Sequence, residues 1–222
     1  MVNIALWMKD FTQAMLDVFG ERVLFLGLQG SYRRGEATEE SDIDVVAVLD
    51  EVRLEDLKRY REALRGLPEG EKAGGFISGR HEMLAWPRHE LFQFRQDTRA
   101  YYGDLDSLLP GFGEEDIRLS ARIGAATLYH GLCHGYVRSQ GADTLYSSYK
   151  SAFFLLQLMC VLRGMPYAST RAELSTLLEG GDLKVLDVFI HWQSLESDRA
   201  ARPDFYWKLL LDWCGRALAQ LA

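Results

Sequence analysis

Two aspartates one residue apart, Asp42 and Asp44, follow a glycine–serine pair, Gly30 and Ser31, within a short polar stretch of this 222-residue chain. If Asp42–Ile43–Asp44 is extended, alternation sends both carboxylates to one face while Ile43 points into a core. Two carboxylates held that close repel each other, and a divalent ion with hard oxygen ligands, most simply Mg²⁺, resolves the repulsion. A strand that ends at Gly30 and turns at Ser31 lets backbone N–H groups and one hydroxyl approach an anion closely, because glycine has no side chain there. Arg34 adds a fixed positive fork for phosphate oxygens. A divalent ion opposite an N–H cradle describes a triphosphate site. The matching chemistry is phosphoryl or nucleotidyl transfer, in which a protein mainly positions groups and neutralises developing charge. The plain rival is a turn that caps an edge strand, with Gly30 closing the strand before it.

Apolar runs must position these residues. Residues 23–28 and 43–49, the latter apolar but for Asp44, are segments flanking the polar loop, as expected of strands buried on both faces. Before them, Ile4, Trp7, Met8, Phe11, Met15, Val18 and Phe19 recur at helical spacing and stop near Gly20. After them, Leu54, Leu57, Tyr60, Leu64 and Leu67 form one stripe of a surface helix, closed by Pro68 and Gly70. Residues 74–78 suggest a weak third strand, and 82–103 is mixed, with Pro87 interrupting it. Beyond Pro110 and Gly111 the pattern is helical, with helices expected near 114–138, 144–163, 170–179, 182–195 and 203–221. The expected fold class is therefore α+β: a small mixed-sheet domain at 1–108 and an all-α bundle at 109–222.

The stretch Gly30, Ser31, Arg34, Gly35, Ser41, Asp42 and Asp44 resembles the signature of the nucleotidyltransferase superfamily that includes DNA polymerase beta, and within it the minimal and antibiotic-modifying nucleotidyltransferases. That pattern is a Gly-Ser turn, an Arg-Gly pair shortly after, and an Asp-x-Asp preceded by Ser on the next strand. The resemblance implies transfer of a nucleoside monophosphate, AMP from ATP or the equivalent from another NTP, to a hydroxyl of a small-molecule acceptor of aminoglycoside-like character. It implies catalytic Asp42 and Asp44 as ligands of two Mg²⁺ ions, and Gly30, Ser31, Arg34 and Ser41 on the nucleotide. Two alternatives stay open: adenylylation of a protein, as antitoxin-type members do, and a nucleotide-binding module without catalysis. Dimers that share active sites occur among the antibiotic-modifying relatives, which leaves a homodimer open here.

A third carboxylate from a later strand is usual in that superfamily, and 73–78 contains none. Glu71 precedes that strand, Glu82 follows it and Asp97 lies beyond. Glu82 and Asp97 are the candidate third acids, each with a helix-end role as its rival. Arg33 is expected to face solvent rather than phosphate, because neighbouring positions do not both point inward. His130 and His134 share one helix face, where a metal pair or a general base is weighed against no functional role, and the last is favoured. Tyr146, Tyr149 and Lys150 open a helix and divide between pocket lining and core packing.

Composition narrows the remaining classes. Twenty-five Lys and Arg against 32 Asp and Glu give a net charge of −7, which disfavours a long footprint on nucleic acid or an anionic membrane surface. With 48% hydrophobic and 26% charged residues the chain has enough apolar surface for a core. The longest apolar runs, 45–49 and 153–162, fall short of the ~18–20 residues of a membrane span, so no membrane partner is expected. Three scattered cysteines in apolar surroundings read as buried thiols of a reducing compartment, with the cytoplasm as the default location.

Overall fold

The computed structural model of the chain describes residues 2–138 and 141–222. It divides into two compact units, Met1–Phe112 and Gly113–Ala222.

In the first unit, α1 (Ile4–Phe19) begins where the Asn3 side chain accepts from the Leu6 N–H, and it stops at Gly20. Its buried stripe of Trp7, Met8, Phe11, Met15 and Phe19 is the one its spacing calls for. The chain continues as β1 (Val23–Leu28), α2 (Gly30–Arg34), β2 (Ile43–Leu49), α3 (Leu54–Arg65), β3 (Ala73–Gly79), α4 (Arg80–Leu84), α5 (Arg88–Asp97) and β4 (Arg99–Tyr102). The sheet order is β3-β2-β1-β4, with β1 antiparallel to both β2 and β4, and β3 parallel to β2. This mixed sheet followed by helices makes the chain α+β.

Alternation along the central strands builds a core on each face of the sheet. Leu26, Leu28, Ile43, Val45, Ala47 and Leu49 pack with the buried side of α1, and the half-buried Tyr60 and Leu64 of α3 close over them. On the other face Phe25, Val46 and Val48 meet Met83 of α4 and Leu91 of α5. Both strands are buried on two sides, which is why they read as unbroken apolar runs rather than alternating ones.

The antiparallel and parallel pairings have a consequence for the site. The end of β1 and the starts of β2, β3 and β4 all lie at one edge of the sheet. Everything that follows β3 directly lies at the opposite edge.

The second unit comprises α6 (Glu114–Val137), α7 (Ala142–Leu162), α8 (Arg171–Leu177), α9 (Gly180–Ile190), α10 (Glu196–Ala201) and α11 (Pro203–Leu221). Helix α7 is its hub: Leu145, Tyr149, Ala152, Phe153, Leu156 and Cys160 are all buried, and α6 and α9 pack against it. By length and composition α7 is apolar enough to cross a bilayer, but most of it is buried within the protein. The buried Gln157 is satisfied by the Ala168 carbonyl at 2.8 Å and by the Tyr167 hydroxyl at 3.2 Å. The Cys214 thiol, packed beside the Ala125 carbonyl, is pushed up to about 12 by burial.

Candidate active site

Gly30 and Asp44 meet across the first two strands. Leu28 pairs with Val45, and beyond it the Gln29 N–H donates to the Asp44 carbonyl at 2.7 Å. This places Gly30 beside the Asp44 side chain so closely that a Cβ built on Gly30 would lie 1.8 Å from Asp44 Oδ2. Gly30 also sits at φ +69°, a left-handed conformation that glycine adopts without steric cost. The hollow a side chain would fill is therefore occupied by a carboxylate.

Asp44 belongs to the set Asp44, Val46 and Val48, which faces α4 and α5, and Asp42 precedes it by one alternation. Asp44 is half-buried and Asp42 exposed, so the pair lies at the rim of the sheet where an ion could enter from water. The donor set is two carboxylates, which suits Mg²⁺. Ser31 is half-buried in the single helical turn α2, not the irregular turn its sequence suggests; Gly35 ends that turn at φ +72°, and the Glu36 N–H donates to the Ser31 carbonyl at 2.9 Å.

Other expected residues take different positions. Arg34 is largely buried and its Nε donates to Glu36 Oε2 at 3.3 Å, so its charge is met in part inside its own loop. The Ser41 hydroxyl accepts from the Thr38 N–H at 2.8 Å and closes the turn that delivers Asp42, which makes it a positioning residue in this structure. Arg33 does not face solvent as expected: its Nη2 donates to the Gln96 carbonyl at 2.9 Å, and its Nε is buried without a hydrogen bond.

The two candidate third acids part company. Glu82 lies in the first turn of α4, with its Oε2 over Gly79, where a Cβ would come within 2.4 Å of it. Gly79 pairs with Leu49, whereas Gly74 pairs with Asp44. The five residue steps between them put Glu82 roughly 16 Å along the strand from the aspartates, at the far edge of the sheet. Its helix-end role is the one the structure supports, and as a shared metal ligand it is excluded by register. Asp97 ends α5 at the correct edge and is buried. Glu71, exposed just before β3, is also at that edge. Among the described residues, however, no group of three His, Cys, Asp or Glu is placed to hold one ion.

Three contributors carry little sequence signal. Gln29 ties the end of β1 to the Thr98 hydroxyl at 2.7 Å and the Phe94 carbonyl at 3.2 Å. Lys72 donates to the Glu39 carbonyl at 3.0 Å and to Glu69 at 2.7 Å, stapling the polar loop to the start of β3; the Glu69 bond raises its pKa. Gly74 faces Asp44 across the parallel pair. Only the Gly74–Gly75 doublet inside a strand hints at its role from sequence, since consecutive glycines there mark a close approach.

In the second unit His130 and His134 are exposed on α6, with ring centroids 6.1 Å apart. Tyr149 is core, donating its hydroxyl to the Tyr206 carbonyl at 2.8 Å, while Tyr146 lies against Phe189 and Trp192 and Lys150 is exposed.

Residues 9–87, which span the Gly-Ser turn, both aspartates and β3, match the family described as "Nucleotidyltransferase domain". This part of the chain is similar to a nucleotidyltransferase domain. None of the curated proteins compared with the chain matches it. Among solved structures, the chain is similar in fold to spectinomycin adenyltransferase from Enterococcus faecialis, solved with ATP and spectinomycin. The TM-score is 0.61 at 12% identity, covering 97% of this chain and 99% of that one.

Proposed function

We propose that the protein is an Mg²⁺-dependent adenylyltransferase that moves AMP from ATP to a hydroxyl of a small molecule of aminoglycoside-like character. The observation that carries this reading is the seating of Asp44 on Gly30, which brings a carboxylate, a side-chain-free backbone and a serine to one sheet edge. The spectinomycin adenyltransferase of like fold, solved with ATP and spectinomycin, supports ATP as donor and a small-molecule acceptor.

Asp42 and Asp44 would hold the Mg²⁺. When bound, the ion supplies neutralisation of charge on the phosphates and on the attacking oxygen. The chain's residues do the rest by position. Gly30 and Ser31 present backbone N–H groups and a hydroxyl to the polyphosphate, free of the side chain that would displace it. Arg34, braced by Glu36, adds positive charge to the same loop. Ser41, by closing its turn on Thr38, fixes where Asp42 leaves the loop. The acceptor oxygen attacks the α-phosphorus, its bond to the β-phosphate breaks, pyrophosphate leaves and the hydroxyl proton is lost to solvent or to a base.

Incubation with ATP labelled in the AMP portion, Mg²⁺ and a panel of aminoglycosides and related amino sugars tests this. Label should appear on an acceptor with equimolar pyrophosphate, and Asp42→Asn should abolish both. ATP binding with no pyrophosphate from any acceptor would replace the enzyme by the nucleotide-binding module. Label on a co-expressed protein rather than a small molecule would move the acceptor class to the antitoxin type.

A further inference from the structure

The turn that carries Gly30 and Ser31 is held from outside itself. Gln29 stands at the N-cap of α2 with extended backbone, yet its side chain makes no hydrogen bond to that helical turn. It reaches the end of α5 instead. Gln29 Nε2 donates to the Phe94 carbonyl at 3.2 Å and to the Thr98 hydroxyl at 2.7 Å, and the Thr98 hydroxyl donates in turn to the same Phe94 carbonyl. The three groups close a ring whose sense is fixed: a carbonyl only accepts, so the amide nitrogen of Gln29, not its oxygen, faces Phe94.

Strand pairing shows what the ring adds. β1 and β4 are paired as far as Leu28 with Arg99, and Gln29 and Thr98 are the next residues of the two strands. Side chains thus continue a backbone ladder that has ended, beside an edge strand of four mostly exposed residues. On the other flank of the turn, Arg33 Nη2 donates to the Gln96 carbonyl at 2.9 Å. That bond sets a cation at the C-terminal end of α5, where unpaired carbonyls and the helix dipole favour one. Gly30 and Ser31 are therefore pinned on both sides to carbonyls of a single helix end. The Gln29 N–H, bonded to the Asp44 carbonyl at 2.7 Å, ties the same residue to β2 as well.

We propose that Gln29 is a positioning residue for the nucleotide: through Thr98 and Phe94, with Arg33 as a second anchor, it fixes the Gly30–Ser31 turn to the end of α5 and so sets how tightly the polyphosphate is held. This rests on the reading of Gly30 and Ser31 as the seat of the polyphosphate. A glutamine suits the task because both N–H groups of its amide find an acceptor here, one on the hydroxyl and one on the carbonyl. Leucine fills similar space and offers neither donor, while glutamate sets a charged oxygen against the Phe94 carbonyl oxygen.

Calorimetric titration of the full chain with α,β-methylene ATP and Mg²⁺, joined to hydrogen exchange without nucleotide, tests this. Folded Gln29→Leu and Thr98→Val should each weaken the Kd for the analogue about tenfold, and Gln29→Glu at least as much. The Gln29→Leu/Thr98→Val double variant should be no worse than the poorer single one, because both remove the same ring. Thr98→Ser, which keeps the hydroxyl, should return the wild-type Kd. The amides of Gly35 and Glu36, which bond to the Tyr32 and Ser31 carbonyls, should exchange about tenfold faster in Gln29→Leu, while those of Val45, Val46 and Val48 in β2 keep their protection. A wild-type Kd in folded Gln29→Leu, additive losses in the double variant, or unchanged exchange at Gly35 and Glu36 would overturn the role of Gln29 alone. A wild type that does not bind the analogue would overturn the reading of Gly30 and Ser31, and this role with it.

Discussion

Replacing Gly30 by alanine probes the site at its tightest point. The new methyl would start 1.8 Å from Asp44 Oδ2, against about 3.5 Å for a relaxed contact, so the carboxylate has to retreat by on the order of 1.5 Å. Alanine at φ +69° adds about 1–2 kcal/mol of backbone strain. A displacement of this size in a catalytic group costs about 100-fold in rate. The expectation is thus two separable effects: a loss of about 1–2 kcal/mol in stability, followed by thermal or urea unfolding, and a loss of about 100-fold in AMP transfer measured where the variant is fully folded. Gly35→Ala is the internal control. It shares the left-handed φ, +72°, but its Cβ would meet nothing within 4 Å, so it should lose comparable stability and keep its turnover. Wild-type transfer by folded Gly30→Ala, or equal catalytic losses in both variants, would refute the placement of Asp44 against Gly30 as the basis of activity.

Three more outcomes follow from the geometry. Glu82→Gln should leave AMP transfer unchanged while costing up to about 1 kcal/mol at the start of α4, and a large loss of transfer would contradict the register that puts it at the far edge. Arg33→Met, which removes the bond to the Gln96 carbonyl, should cost about 1 kcal/mol and raise the KM for ATP more than it lowers kcat, because it loosens the turn carrying Ser31; steady-state kinetics decide. Asp56 is held down to about 2 by the Arg22 guanidinium, through bonds of 2.7 and 3.0 Å. Its folded value lies below its unfolded one, so the stabilisation is present above about pH 4 and is lost as pH falls toward 2. Asp56→Asn should therefore lower stability by about 2 kcal/mol at pH 7 and flatten the acid limb of a stability–pH curve, whereas an unchanged acid limb would contradict the pairing.

What was legible in the sequence follows from how local each signal is. The strands around Leu26 and Val46 announce themselves because burial on both faces makes them apolar throughout, and α1 because its stripe repeats over four turns. The Gly30–Asp44 motif is compact, and its strand-and-loop grammar survives in one window. β4 was not anticipated: Arg99–Tyr102 is a four-residue, mostly exposed edge strand with no periodicity to detect. The helix expected at 182–195 is α9, which starts two residues earlier at Gly180 and ends at Ile190, with 191–195 forming a turn before α10. Site residues brought in by pairing rather than by sequence proximity were the hardest to see. Glu82 lies near β3 in sequence, yet strand direction carries it away, while Gly74 carries no functional group and becomes meaningful only once its partner across the sheet is known to be Asp44. Alternation of neighbours points Arg33 to solvent; in the helical turn α2 that rule lapses, and the Gln96 carbonyl of α5 accepts from Arg33 Nη2.

The central claim is that Asp42 and Asp44 seat a divalent ion against the phosphates held at Gly30 and Ser31. Crystals grown with Mn²⁺ and α,β-methylene ATP, measured at a wavelength where manganese scatters anomalously, test it directly. An anomalous peak is expected about 2.1 Å from oxygens of both aspartates and of the analogue's phosphates, with the phosphates over the Gly30–Ser31 backbone. A peak bound to other side chains, or an analogue seated away from that turn, would contradict it.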